Sequence, residues 1–314
     1  MKLRRYVSLL FALPSSIAWA QYVGVKVCAG CHADIGKTQA LSAHARSLAR
    51  IGEHALAEKL VPLVAARKPA VEWAFGGGSQ AVTFVSQVGE DAYLEHHLSY
   101  YSSLGRLGTT PGHAGKPEPG VLYRGFGAGG EILRCFQCHS TGNLKADATA
   151  RIEPAEAGVR CESCHGPGAV HAKAPTAANI INPKRYSANE MNQMCGSCHR
   201  KPAAAGDDTD FGNSWNARHQ PLYLSQSRCF RESKGQLTCR TCHDPHSGQA
   251  QAGCVSCHAT VRHPATVRLA GQDCTACHMP PVRPQEGLSF RNHWIGVYGA
   301  GDNLVPVYRA KPAR

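Results

Sequence analysis

The sequence predicts a mainly α-helical fold with much irregular structure and a small β insertion. The pentapeptide Cys-x-x-Cys-His occurs seven times, glycine and proline together number 51, and aromatic residues are only 7% of the 314 residues. A chain with this composition has little material for a conventional apolar core. One stretch of about 75 residues lacks the pentapeptide, and its β-branched and aromatic residues favour short strands.

Each pentapeptide has the spacing of a c-type haem attachment site. Its two thiols reach the vinyl groups on one edge of a porphyrin, and the histidine that follows then lies under the iron. Random placement of 15 Cys and 17 His would produce only about 0.04 such motifs in this chain. Zinc sites, disulfides and thioredoxin-like pairs also use Cys-x-x-Cys, but none of them requires the histidine every time. The motifs, numbered first to seventh, are Cys28, Cys31 and His32; Cys135, Cys138 and His139; Cys161, Cys164 and His165; Cys195, Cys198 and His199; Cys239, Cys242 and His243; Cys254, Cys257 and His258; and Cys274, Cys277 and His278.

The seven motifs predict seven covalently bound haem c groups, each with its iron. A mature chain of about 294 residues then has one haem for about every 42 residues. At that density we expect the haems to form the core of the protein and the polypeptide to wrap them. Binding free energy then becomes folding free energy, so we expect little stable structure without the cofactor.

The first twenty residues predict a cleavable signal peptide and therefore an exported, periplasmic or secreted protein. Lys2, Arg4 and Arg5 precede a short apolar run, and the small residues Ala18 and Ala20 predict cleavage after Ala20. No later stretch has the roughly 18 uninterrupted apolar residues of a membrane span. We expect residues 21–314 to form a single multihaem domain, with residues 21–134 holding the first haem and the β insertion and residues 135–314 holding six haems.

The charge of the chain argues against a nucleic-acid partner. The formal net charge is +12, and it falls to +9 without the signal peptide. Propionates and ferric irons of seven haems would bring the oxidised protein to about +2, so much of the basicity balances the haems.

Ten histidines lie outside the motifs, which is enough to give each of seven irons a second imidazole. Residues 34–60 have helical composition, and His44 on that helix is a good candidate for a distal ligand, whereas His54 is expected on the surface. His96 and His97 would point to opposite faces of a strand, so at most one of them can face a given haem. Further candidates are His113 on a loop, His171, His246, His263 and His293, with His219 a weaker one.

His246 has a particular consequence for how the haems are connected. It lies three residues after the motif histidine His243, and on a helix both would face the same side of their own porphyrin. His246 would then have to bind the iron of a different haem.

Two further residues have open roles. Met279 follows His278 directly and cannot reach the other face of that haem, so it is expected to pack against its surroundings. Cys229 is the one cysteine outside the motifs, and it is either a buried thiol or a residue with a disulfide or redox role.

The chain resembles exported multihaem cytochromes c with paired Cys-x-x-Cys-His motifs. These are related to the tetrahaem cytochrome of nitrifying bacteria and, more distantly, to hydroxylamine oxidoreductase and pentahaem nitrite reductase. The resemblance implies a mostly helical fold around stacked and perpendicular haem pairs. It also implies that His44, His171, His246, His263 and His293 are distal ligands. The segments that carry it are CAGCHADIGKTQALSAHARSLA, CFQCHSTGN, GVRCESCHGPGAVH, MCGSCHR, QSRCFRESKGQLTCRTCHDPH, and CTACHMPP followed by NHWIGV.

The chain departs from these enzymes at their catalytic haems. The nitrite reductases have a lysine in place of one motif histidine, but all seven motifs here end in histidine. Hydroxylamine oxidoreductase has a tyrosine crosslinked to its catalytic haem, and neither Tyr100 nor Tyr101 has a matching context. Neither activity is carried over to this chain.

Two functions therefore remain. The first is a non-catalytic electron carrier, whose bis-histidine haems form a conduit between redox partners such as other cytochromes or a membrane quinol-oxidising complex. The alternative is an oxidoreductase in which one iron lacks a distal ligand and acts on a small nitrogen or sulfur compound.

Overall fold

The computed structural model describes residues 21–125, 131–146, 151–204, 206–207, 209–250, 253–260, 263 and 273–307. The predicted signal peptide and its cleavage site at Ala20 lie outside the described residues.

An antiparallel sheet of seven strands forms the largest regular element among the described residues. Its main path has the order β1-β2-β3-β4-β7, and β5 pairs with both β3 and β6. The strands are β1 Leu48–Arg50, β2 Trp73–Phe75, β3 Ala81–Gly89, β4 Ala92–His96, β5 Leu98–Tyr101, β6 Arg106–Thr109 and β7 Gly120–Arg124.

Alternating side chains of the sheet face two separate apolar clusters. Trp73, Phe75 and Val85 belong to the first cluster with Phe136. Their neighbours Ala74 and Phe84 belong to the second, with residues of the helix 57–64. This is the two-residue period of a strand covered on both faces. Consequently the helix that carries the second motif packs directly on the sheet.

The remaining elements are short, and much of the chain between them is irregular. The helices are α1 Val25–Cys31, α2 Ala33–Ala40, α3 Ala57–Val64, α4 Glu131–His139, α5 Cys161–His165, α6 Ala169–Lys173, α7 Ala188–His199, α8 Gln220–Leu224, α9 Arg228–Glu232, α10 Cys254–Cys257 and α11 Cys274–His278. Two small antiparallel hairpins are formed by β8 Ser140–Ala146 with β9 Ile152–Ala157, and by β10 Pro281–Val282 with β11 Phe290–Arg291. Within the described residues, none of these helices is long and apolar enough to cross a membrane.

The prediction of a mainly α fold is corrected to a mixed one. Of the described residues, 33% are helical and 20% lie in strands. The β region is also larger than the small insertion that the sequence predicted, because β1 and β2 join it from the N-terminal side.

The single helix expected over residues 34–60 is also wrong. Helix α2 ends at Ala40, His44 lies on a turn, and β1 follows at residues 48–50. Leu48 pairs with Phe75 of β2, and its side chain is fully buried in the first apolar cluster. Tertiary burial of this strand therefore overrides its local helical preference.

Candidate haem-binding sites

Helical turns present both thiols of a motif on one side. Six motifs lie in α1, α4, α5, α7, α10 and α11, and the fifth begins on a short 3₁₀ turn at Cys239–Thr241. The motif histidine closes the turn: His32 N donates to Cys28 O at 3.0 Å, and His243 N donates to Cys239 O at 2.9 Å. Positions three apart on a helix share a face, so each motif has the geometry that attachment to one porphyrin edge requires.

Five motif histidines each face the ring of a histidine from outside the motifs. The separations between ring centroids span 5.9 to 6.4 Å. The pairs are His32 with His171, His165 with His246, His199 with His44, His243 with His293, and His278 with His263.

This spacing fits one metal ion between two imidazoles. An imidazole nitrogen binds a metal at about 2 Å, which places two opposed ring centroids about 6 Å apart. Rings in direct van der Waals stacking would lie closer together. The residues present therefore fit haem iron with two axial imidazoles at five positions.

Backbone carbonyls orient several of these rings through the Nδ1 atom. His165 Nδ1 is 2.8 Å from Ile181 O, and His278 Nδ1 is 2.8 Å from Gly296 O. A carbonyl can only accept, so Nδ1 carries the proton and the lone pair is on Nε2, the atom that would bind a haem iron. The same bond joins His139 to Ser47, His171 to Thr176, and His293 to Arg291.

Burial keeps several of the candidate ligands neutral. It lowers the pKa of His44, His199 and His243 below the ordinary value, and it lowers the pKa of His293 to about 4. A neutral imidazole has the free lone pair that a metal ligand needs.

Several histidines outside these pairs have partners within the protein fold. His54, expected on the surface, is only 4% exposed, and its ring nitrogens lie 2.9 Å from Gly76 O and 3.1 Å from Leu56 N. His113, a candidate iron ligand, lies 3.1 Å from a carboxylate oxygen of Glu95 and against the ring of His97. These contacts place His113 in the β region and away from the five imidazole pairs.

His96 is also held inside the β region, and it predicts a pH-dependent stability. Its Nε2 lies 2.8 Å from Ser86 Oγ, and burial, reinforced by Arg67, lowers its pKa to about 4. The unfolded chain therefore binds the proton more tightly than the folded chain does. The stabilisation is fully present above the ordinary pKa of about 6.5 and is lost as the pH falls from there through about 4.

As the pH falls through this window, we expect the protection factors of the β4 amides, which correct for the chemical exchange rate, to decrease. His96→Gln should remove most of that dependence, whereas His54→Gln should retain it. An unchanged pH profile in His96→Gln would show that another group is responsible.

Two motif histidines differ from the other five. The His139 ring contacts Phe75 edge-on, with centroids 5.4 Å apart, and no imidazole of the described residues faces it. His258 has no facing imidazole either, although all 17 histidines lie in the described residues.

Thiols of different motifs lie close enough to shift each other's pKa. These contacts join the first motif to the third, the second to the fourth, the fourth to the fifth, and the sixth to the seventh. The pairs are Cys28 with Cys161, Cys138 with Cys198, Cys195 with Cys239, and Cys254 with Cys274. Cys164 also lies near the fourth motif, and Cys242 lies near Cys257 of the sixth. The attachment points therefore form one connected series.

Cys229 lies beside this series, near Cys242 and Cys254. Burial raises the pKa of its thiol above the ordinary range. Both interpretations made from the sequence, a buried thiol and a redox role, remain predictions.

The sequence analysis missed the role of Glu162, which lies between the two cysteines of the third motif. Its carboxylate is 3% exposed and accepts hydrogen bonds from Val23 N at 3.0 Å, Gly24 N at 2.8 Å and Gly168 N at 2.6 Å. Gly24 has a φ of 82°, a conformation that favours glycine. The carboxylate thereby joins the start of the first motif's helix to the third motif.

Comparisons with known proteins found several cytochromes that this chain resembles. The family described as "Cytochrome c554 and c-prime" matches residues 127–166, which contain the second and third motifs. The multiheme cytochrome MtrA of Shewanella baltica is 26% identical over 171 residues, covering 46% of this chain and 45% of that protein. The C-type polyheme cytochrome OmcC of Geobacter sulfurreducens is 28% identical over 231 residues, covering 55% of this chain and 28% of that protein. The chain thus spans less than half the length of these relatives.

Two solved structures have a similar fold. The outer cell wall cytochrome OcwA superposes with a TM-score of 0.57 at 17% identity, covering 87% of this chain and 79% of OcwA. The undecaheme cytochrome from the S-layer of Carboxydothermus ferrireducens superposes with a TM-score of 0.54 at 18% identity, covering 88% of this chain and 52% of that one. At these identities the likeness shows the fold alone.

The motifs, the fold and the relatives together support one class of protein, the multihaem c-type cytochromes. Among these, the chain is similar to MtrA and OmcC in sequence and to OcwA in fold.

Proposed function

We propose that this chain is a heptahaem c-type cytochrome that carries electrons between redox partners. The observation that carries the proposal is the set of five imidazole pairs at 5.9 to 6.4 Å. Haem c supplies reversible one-electron chemistry at its iron, and two axial imidazoles keep that iron closed to substrates.

In the proposed function, distal histidines connect the motifs to one another. His44 follows the first motif and faces the fourth, and His171 follows the third and faces the first. His246 follows the fifth motif and faces the third, and His293 follows the seventh and faces the fifth. Each such pair fixes two motifs relative to each other, so the haems are held in one arrangement without a large apolar core.

We infer a haem order from the thiol contacts. The first, third, fourth, fifth, sixth and seventh motifs follow one another, and the second motif branches from the fourth. Electrons would then enter and leave at the first, second and seventh haems, because these are the ends of the branched series.

The proposal also includes export and redox partners. We propose that residues 1–20 are a signal peptide and that the protein is periplasmic or secreted. Its partners would be other cytochromes or a quinol-oxidising complex. A single domain over residues 21–314 and a relationship to the nitrifier tetrahaem cytochrome and hydroxylamine oxidoreductase also belong to the proposal. The similarity to a multiheme and a polyheme cytochrome supports the carrier function.

The proposed function predicts the spin states of the irons. In low-temperature EPR of the oxidised holoprotein, we expect at least five irons per chain to be low-spin, because five motif histidines face a second imidazole. Cyanide, nitrite and hydroxylamine should leave these five signals unchanged. More than two high-spin irons, or a change in the five low-spin signals, would contradict the proposal.

A second candidate function follows from His139 and His258. The His139 ring faces Phe75, where five other motif histidines face an imidazole. An iron on either motif could take a small nitrogen or sulfur compound as its sixth ligand, and the other haems would supply electrons. A high-spin signal of one or two irons that shifts with nitrite or hydroxylamine would support this function, and seven low-spin, unresponsive irons would exclude it.

A further inference from the structure

A cluster of two histidines and a glutamate lies in the β region, outside the five imidazole pairs. Glu95 and His97 are two residues apart at the end of β4, and His113 comes from the loop after β6. The His97 and His113 ring centroids are 6.0 Å apart with planes inclined by 46°. This spacing matches that of the pairs proposed to hold iron, yet neither histidine belongs to a motif.

The backbone around this cluster is fixed before any ligand binds. Thr110 N donates to His97 O at 2.8 Å, and His113 N donates to Thr110 O at 2.9 Å. The Thr110 hydroxyl also donates to His96 O at 2.8 Å. The loop that carries His113 is therefore tied to the strand end that carries His97.

Glu95 orients the His113 ring and determines which nitrogen is free. Its carboxylate oxygen lies 3.1 Å from His113 Nε2, and an ionised carboxylate can only accept, so Nε2 carries the proton. The lone pair is then on Nδ1. A carboxylate on the far nitrogen of a histidine is the usual outer partner of a metal ligand.

Both Nδ1 atoms of the ring pair are buried and lack a hydrogen-bond partner. His113 is only 2% exposed. A buried nitrogen without a partner is unfavourable, and a single ligand that reaches both nitrogens would satisfy them. These two unpartnered nitrogens are the observation that points to a bound species.

The geometry favours an ion of low coordination number. Two imidazoles bound at about 2 Å on opposite sides of an ion have centroids about 6 Å apart, whereas a tetrahedral angle would bring them to about 5 Å. The described residues also hold no group of three or more His, Cys, Asp or Glu side chains arranged for a metal. Burial of both nitrogens limits the access of water that would fill a larger coordination shell.

We propose that His97 and His113 bind one monovalent copper ion through their Nδ1 atoms, with Glu95 as a positioning residue for His113. Imidazole is a common copper ligand, and a two-coordinate, near-linear arrangement suits monovalent copper. The site does not involve the haems, so a negative result for copper would leave the proposed electron-transfer function unaffected.

The test is an anaerobic titration of the holoprotein with monovalent copper in competition with a copper-specific chelator. We expect one chelator-resistant copper per chain in the wild type. His97→Gln and His113→Gln should each weaken binding by at least a hundredfold, and Glu95→Gln by about 10- to 100-fold. His54→Gln is the matched control, because both nitrogens of this buried histidine are bonded to backbone, and it should bind as the wild type does.

X-ray absorption at the copper edge of the wild type tests the proposal without any substitution. Two nitrogen neighbours at a single short distance are expected. Sulfur in the first shell would assign the copper to Cys229 or another thiol and would overturn the proposal. Absence of chelator-resistant copper, or wild-type affinity in both histidine variants, would overturn it as well.

Discussion

Replacing His246 by methionine is expected to raise the reduction potential of the third haem, not of the fifth, whose motif lies next to it in sequence. The His246 and His165 rings are 6.3 Å apart and inclined by only 1°, whereas His243 of the fifth motif faces His293. Methionine in place of one axial histidine raises a haem's potential, and axial ligands as a group span about 0.8 V. We expect an increase on the order of 0.1 V for one of the seven proposed haems.

A redox titration followed by optical spectroscopy and EPR measures this shift. The haem is assigned by repeating the substitution in a chain that lacks the third haem through Cys161→Ala and Cys164→Ala. There His246→Met should have no effect on the remaining haems. A shift that persists in that chain would show that His246 binds another iron.

Matched substitutions separate ligand loss from general disturbance. His171→Met should produce a similar shift in the first haem, because His171 faces His32. His219→Met should shift no potential by a comparable amount. His219 lies 3.3 Å from Asn216 Oδ1, and although His199 is near it, the described residues show no ring contact between His219 and a motif histidine.

Local spacing explains why the candidate attachment sites could be predicted from the sequence. Two thiols and an imidazole within five residues are positioned by one helical turn, whatever the rest of the chain does. The five distal histidines suggested by resemblance are also the five whose rings face a motif histidine. Which motif each one faces depends on non-local packing, as in the pairing of His44 with His199 across 155 residues.

Only the strands whose own residues favour β structure could be predicted from the sequence. Strands β3 and β4 have enough β-branched and aromatic residues to be found from the sequence, whereas β1 and β2 have three residues each. These short strands exist because Leu48, Trp73 and Phe75 are buried against Phe136 of the second motif's helix. No residue within β1 indicates that distant partner.

The number of histidines alone does not assign distal ligands to the irons. Ten histidines for seven irons suggested a surplus, yet the contacts of His54 and His96 are with the fold of the β region. His97 and His113 likewise contact each other. A histidine's second nitrogen must be traced to its partner before the residue is assigned to an iron.

Replacing Glu162 by glutamine is expected to destabilise the junction of the first and third motifs by about 3 kcal/mol. The carboxylate is buried and accepts from the backbone N–H groups of Val23, Gly24 and Gly168. An amide has one oxygen and one NH₂ group, so at least one N–H would face a donor in place of an acceptor. Glu156→Gln is the control, because this carboxylate accepts from Val25 N, at 2.8 Å, through one oxygen while its other oxygen has no hydrogen-bond partner, and we expect about 1 kcal/mol there.

The junction at Glu162 also positions the first motif and His171, so its loss is expected to affect the first haem. Val23 and Gly24 lead directly into α1, which carries Cys28 and Cys31, while Gly168 precedes α6, which carries His171. His171 faces His32, so a looser junction weakens the imidazole pair of the first haem. Denaturant unfolding followed by far-UV circular dichroism gives the stability, and EPR of the same samples shows whether one low-spin signal broadens or becomes high-spin. If Glu162→Gln and Glu156→Gln lost equal stability and left all signals intact, the Glu162 carboxylate would have no special part in joining the two motifs.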